Sequence, residues 1–424
     1  MISFRPLRPA AMSLVAVLTM AAAPSGIELR QAPASSGSLM AQAEIEQQST
    51  SGDLVRQCLQ NPSQSCALAA ALTITAEEEL PIARVDTLIA IAETFERLGD
   101  MKRANATVDL AKQAAEDIGI SIGTEQKMVR IVGPMTGVGR TEEAIEAAHA
   151  LKDRFLKADA LGTIALTQAR MGDMDAAQAT LDMIVEPLLA LRYAVRMVEN
   201  LAENGVDANA IPVGPLTARI QGIDNVLLKA LGEMRLAVIQ AKRGETEEAI
   251  KLRDQAALAL ETLSLNHERA RIYAGLALAA HMLGDMEMYE DYANRAANLA
   301  GGVRSDYDRA LAIGDAVAAL SVGGHVDRAI DLASRVTDLR AQSRLIDQLS
   351  RRSSAHAAVA PLAEHILKAV ADHDERFERD RARLAVAQAL ARIESIQSAA
   401  QVIADIETDD DQAQALAVLA RVLK

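Results

Sequence analysis

The stretch from Arg84 to Asp117, RVDTLIAIAETFERLGDMKRANATVDLAKQAAED, decides the fold. It reads as a helix, a Gly-Asp turn and a second helix. Counted back from Gly99, apolar or small residues fall at −11, −8, −7, −4 and −1 as Leu88, Ile91, Ala92, Phe95 and Leu98. That spacing marks one face of a 3.6-residue period. Ala104, five residues after the glycine, is small where two antiparallel helices must close up.

Variants of this hairpin return down the chain. The turn recurs at Gly139, Gly172, Gly205, Gly244, Gly284 and Gly324, at intervals of 40, 33, 33, 39, 40 and 40 residues. Short and long units differ by about two helical turns, which keeps the buried face in register. Position −8 reads Ile91, Ile131, Ile164, Met197, Leu236, Leu276 and Ala316, and −7 is small or β-branched throughout. Position +5 is alanine in six of the seven units, with Tyr289 the exception; degenerate units follow with Ser353 and Glu394 at the turn. A hairpin of this kind cannot bury its own apolar face and must stack on neighbours. The turn glycine permits a left-handed backbone, and the Asp that often follows can cap the second helix.

With that register in place, the region from Arg84 to Asp405 resembles the tetratricopeptide repeat. A large residue, a small neighbour, an apolar residue three further on, a turn glycine and an alanine occupy the family's slots in order. The family's early Trp and late Pro are absent, and most units exceed 34 residues. The resemblance implies an all-α fold, an α-solenoid of stacked antiparallel helix pairs in a superhelix. Residues 84–210 and 226–409 are then two sub-arrays. Residues 211–225, with Pro212, Gly214 and Pro215, form an irregular break, and 410–424 a C-terminal capping helix.

Ahead of the array, Arg5 and Arg8 precede an apolar run, Ala10 to Ala23, too short to span a bilayer and suited to an export signal. Cleavage would follow Ala23 or Ala43, with residues 1–43 as signal and linker and 44–83 as an N-terminal helical hairpin. Cys58 and Cys66 flank a turn in that hairpin. An oxidising compartment would join them, and a short closed loop stabilises by about 2–3 kcal/mol; two free buried thiols are the alternative. The localisation expected is the periplasm, or the exterior.

Composition narrows the function classes. Trp is absent, aromatics are 2%, and the net charge is −14, which argues against nucleic acid or an anionic membrane as main partner. No catalytic constellation, metal site or cofactor motif emerges. Gly133 to Gly139 lacks the Gly-Lys-Ser/Thr of a phosphate loop, and His356, His365 and His373 are spaced too far apart to meet on one helix turn. One recurrent feature lies outside the core. At −15 stand Arg84, Lys157, Lys229, Arg269, Arg309 and Arg379, a broken basic ladder that either pairs with acidic helix ends or offers an edge to an acidic partner. Position −6 carries Glu93, Gly133, Leu166, Glu199, Val238, Leu278 and Ala318, without the Asn that family members use to grip a terminal carboxylate. The expected protein is therefore a non-enzymatic exported scaffold or adaptor binding a protein or peptide. A carrier of an apolar or lipidic ligand and the helical body of a glycan-processing enzyme are the alternatives.

Overall fold

The computed structural model describes residues 51–423 except 120, 204–207 and 212; the expected signal segment, both cleavage positions and Gly205 fall outside the described residues. What is described is all-helical, with no strand among the described residues. We number its twenty-one α-helices in chain order. The first two, α1 (Ser51–Gln60) and α2 (Gln64–Glu77), form the N-terminal hairpin. The next four are α3 (Pro81–Arg97), α4 (Met101–Asp117), α5 (Ser121–Gly137) and α6 (Thr141–Ala150). Then come α7 (Arg154–Arg170), α8 (Met174–Asp182), α9 (Pro187–Glu203) and α10 (Val213–Gln221). The middle of the chain gives α11 (Val226–Lys242), α12 (Thr246–Leu258), α13 (Asn266–Met282), α14 (Met286–Gly301), α15 (Asp306–Val322) and α16 (Val326–Ala333). The last five are α17 (Leu339–Ser350), α18 (His356–Ala371), α19 (Arg376–Arg392), α20 (Ile396–Ala404) and α21 (Asp409–Ala420).

The turns repeat in atomic detail. Gly99, Gly139, Gly172, Gly244, Gly284 and Gly324 all have φ between 75° and 88°, the left-handed region. The residue after each donates its N–H to a carbonyl five residues back, as Asp100 to Phe95 (2.9 Å) and Asp285 to Ala280 (3.0 Å). That bond closes the helix end on itself. Asp100, Asp173 and Asp285 then accept a backbone N–H of the following helix and start it. At the degenerate turn Glu394 adopts φ 60° and makes the same closing bond, from Ser395 to Leu390.

Burial follows the register. Every −8 and −7 residue, from Ile91 and Ala92 to Ala316 and Val317, has no solvent exposure, as do Ala104, Ala144, Ala177, Ala249 and Ala329 at +5. Tyr289, which replaces alanine there, is equally buried. Its hydroxyl donates to the carbonyl of Ala319 at 3.0 Å, over Gly323, whose missing side chain leaves the room.

Each odd-numbered helix from α3 to α19 packs on the next odd-numbered helix and on the even-numbered helix that follows it. The row does not end at α21. That helix packs on α2 and on α3, and α1 packs on α20. Thr87 and Thr94 of α3 donate to the carbonyls of Asp410 and Ala417, and Gln64 of α2 donates to the carbonyl of Leu423. Both threonine contacts span the same sequence offset, so α21 runs parallel to α3 in register. The C-terminal segment expected as a cap is thus an interior helix, buried from Ala413 to Ala420, and α2 serves as its antiparallel partner. The ten odd-numbered helices form a closed circuit with the even-numbered ones outside it. A circle of ten helices set about 10 Å apart measures about 30 Å between opposite axes.

Cys58 and Cys66 are joined in a disulfide, with Cα atoms 5.5 Å apart, which braces the hairpin carrying α2 and is consistent with export. Among the described residues no helix is long and apolar enough to cross a membrane. Around the expected irregular break, Ala208–Ala210 is a single 3-10 turn and α10 is a helix of nine residues, packed on α9 and α11.

Candidate functional site

The six −15 cations all stand at the fourth residue of an inner helix, and all are half-buried. Arg84 approaches Asp117 at the end of α4 (3.6 Å), Arg309 pairs with Asp306, and Arg379 donates to the carbonyls of His373 and Asp374 beyond the end of α18 and approaches Glu407. The six cations are spread around the circuit, and two of them, Arg84 and Arg379, reach groups at the ends of outer helices.

Two other positions of the inner helices face solvent in common. The second residue of five of them is large, apolar and at least half exposed: Ile82, Ile122, Phe155, Tyr307 and Phe377. Because inner helices run parallel, these residues share one end of the circuit. Arginines stack on three of the rings, Arg154 on Phe155 (4.7 Å), Arg344 on Tyr307 (5.7 Å) and Arg381 on Phe377 (5.4 Å). We refer to this set as the apolar collar.

At the opposite end the recurring residue is arginine. Position −2 holds Arg97 on α3 and Arg170 on α7, with Gly137 on the intervening α5; Arg351, Arg392 and Arg421 hold the equivalent place at the ends of α17, α19 and α21. Arg421 donates to Glu93 Oε2 at 2.8 Å, to Thr94 Oγ1 and to the carbonyl of Ala90, and so locks α21 to α3. Arg351 and Arg392 converge on Asp347 at 3.0 and 2.8 Å. Arg170 reaches Glu96 at 3.3 Å across α5, where the absent side chain of Gly137 leaves space for the Glu96 carboxylate. Contacts between second neighbours in the circuit show that these groups point inward. Burial alone would raise Glu93, but Arg421, Arg170 and Arg351 outweigh it and hold its carboxyl below the usual range. Glu96 is raised, by burial and by the nearby Glu93. Burial, then the Arg351 charge, pushes Arg392 down to about 10.

A second inward cluster centres on a buried carboxylate. Asp315 on α15 accepts from Arg271 of α13 at 2.8 Å and from Arg352 at 2.6 Å, with Arg235 of α11 at 3.9 Å. Desolvation raises the Asp315 carboxyl, and the three guanidiniums together take it well below the ordinary carboxylate range. Elsewhere Asp86 joins Lys127 (2.7 Å) and Arg130 of α5. A cavity of about 690 Å³ opens between α10 and α12, lined by polar groups such as Thr217, Gln221, Gln240 and Arg243. Among the described residues no group of three His, Cys, Asp or Glu has metal-binding geometry.

The −2 arginines are the functional candidates that the sequence analysis passed over. They keep the repeat register, next to the apolar −1 position. No protein-family model matches the chain, and neither does any curated protein. Among solved structures the chain is similar to the crystal structure of Ton1535 from Thermococcus onnurineus NA1, at 18% identity over 77% of this chain and 99% of that one, with a TM-score of 0.23. Superposition that loose carries nothing over to this chain.

Proposed function

We propose that this protein is an exported, non-catalytic module of the cell envelope, a tetratricopeptide-like array of stacked antiparallel helix pairs that binds a protein partner. The apolar collar carries this reading. Exposed apolar residues scattered singly are ordinary, but large ones repeated at one register and gathered at one end mark an interaction surface. Aromatic residues with arginines against them are the composition enriched in the buried centre of protein interfaces. The disulfide supports export, and the regularity of the units supports the repeat architecture.

Affinity capture from envelope extract, followed by mass spectrometry, tests the proposal. A saturable partner is expected, and it should be lost when Phe155, Tyr307 and Phe377 are together changed to Ser. Three exposed side chains contribute little to folding, so the variant stays folded. Capture that is undiminished by this change would contradict the assignment of the collar.

A further inference from the structure

We propose that the arc formed by the ends of α17, α19, α21, α3 and α7 is a binding site for a multiply charged oxyanion, a phosphate or polycarboxylate group held by Arg97, Arg170, Arg351, Arg392 and Arg421. The site lies at the end of the circuit opposite the apolar collar, roughly 20 Å away along helices of 17 residues. It stands independently of the partner-binding proposal.

The balance of charge carries the inference. Within the arc the five guanidiniums face three carboxylates: Asp347 shared by two arginines, Glu93 with Arg421 and Glu96 with Arg170. Arg97 has no carboxylate within ion-pair distance among the described residues, and it is exposed. Positive charge is therefore concentrated inside a chain whose net charge is −14. Partial desolvation, then the charges of Arg421 and Arg170, hold the Arg97 guanidinium below its ordinary value against the opposing pull of Glu93 and Glu96. A helix C-terminus favours one cation for its own dipole, which accounts for each arginine singly. It does not account for their convergence from five helices.

Access is open. The Arg170 and Arg351 side chains are 50% and 60% exposed although protein charge surrounds them, the situation of groups lining an interior space rather than an outer surface. On α5 the arc carries no side chain at Gly137, and the Glu96 carboxylate lies over it beside Arg170. The planar forks of adjacent arginines match the paired oxygens of phosphate and carboxylate, and arginine remains charged throughout the physiological range.

Isothermal titration of the full chain with inorganic pyrophosphate at low ionic strength tests the site, with tricarballylate as the carboxylate arm. One saturable site is expected for at least one of the two anions, and the tighter arm assigns the chemistry. Arg97→Gln, which strands no carboxylate, should weaken binding about tenfold, the loss of one charge-assisted hydrogen bond. Arg97→Lys should recover part of it, while Arg309→Gln at the other end should change nothing. No saturable binding of either anion by the native chain would overturn the proposal. So would native affinity in Arg97→Gln, or an equal loss in Arg309→Gln.

Discussion

Glu394 occupies the turn of its unit with φ 60°, in a position that six other turns give to glycine. For a residue with a Cβ, the left-handed conformation costs about 1–2 kcal/mol. Changing Glu394 to glycine removes that cost but frees the unfolded chain by about 0.4–1 kcal/mol. The net gain is about 1 kcal/mol. Among the described residues the exposed Glu394 side chain makes no ion pair or hydrogen bond, so none is lost. Gly99→Ala is the mirror experiment. A Cβ built there meets nothing within 4 Å, so its cost is conformational and also about 1 kcal/mol. Native-state hydrogen exchange reads both, because a local 1 kcal/mol changes amide protection about fivefold. Amides of α20 should exchange about fivefold more slowly in Glu394→Gly, and those of α4 about fivefold faster in Gly99→Ala. Unchanged or faster exchange in Glu394→Gly would refute the equivalence of the two turns, and with it the claim that one backbone design repeats through the chain.

Further outcomes follow from the packing. Gly323→Ala places a methyl against the Tyr289 ring and should destabilise by about 1–3 kcal/mol in urea unfolding; adding Tyr289→Ala should offset much of this, since other units carry alanine at +5. Asp315→Asn removes the carboxylate that three arginines share and should cost about 3 kcal/mol or more at pH 7. The folded carboxyl of Asp315 is depressed, so its contribution is present above the ordinary Asp range and is lost as pH falls through the lower folded value. Asp411 behaves in the opposite way. Burial raises its pKa from 3.8 to about 6, with Asp410 and Asp380 adding to the effect, so the folded state loses stability as pH rises from about 4 through 6. Asp411→Asn should therefore raise the melting temperature at pH 8 and leave it nearly unchanged at pH 4. After allowance for the helix N-terminus it sits in, the expected gain at pH 8 is about 2 kcal/mol. An equal effect at both pH values would contradict the burial argument.

Local physics made much of this architecture legible in the chain. The turn glycines, the capping aspartates, the small residues at −7 and +5 and the pairing of Cys58 with Cys66 all depend on contacts within one hairpin or between neighbours. Closure was not legible, because it joins residues more than 300 positions apart whose local pattern is that of any other unit. One hint existed: α2 precedes the first inner helix without an inner partner of its own. The two ends complete each other. The −15 cations stood out by spacing, and Arg84 and Arg379 among them reach the ends of outer helices. The −2 arginines followed the same register, but their meaning depends on which helices meet across the interior. Glu96 and Arg170 come together only because α5 offers Gly137 between them. No spacing rule on a single helix contains that fact.

Closure also builds the proposed anion site, since Arg392 and Arg421 stand on one side of the junction and Arg97 and Arg170 on the other. The most direct test is the distance between the two ends of the array. Spin labels at Glu77→Cys, the exposed last residue of α2, and Asp409→Cys, the exposed first residue of α21, can be read by double electron–electron resonance while the native cysteines remain in their disulfide. Antiparallel packing of α2 on α21 predicts one narrow population at roughly 10–20 Å, the spacing of neighbouring helices plus label length. A straight open row of ten inner helices would hold the labels roughly 80 Å apart. A narrow short distance is the result this account predicts, and a distribution centred at several tens of ångströms would contradict it.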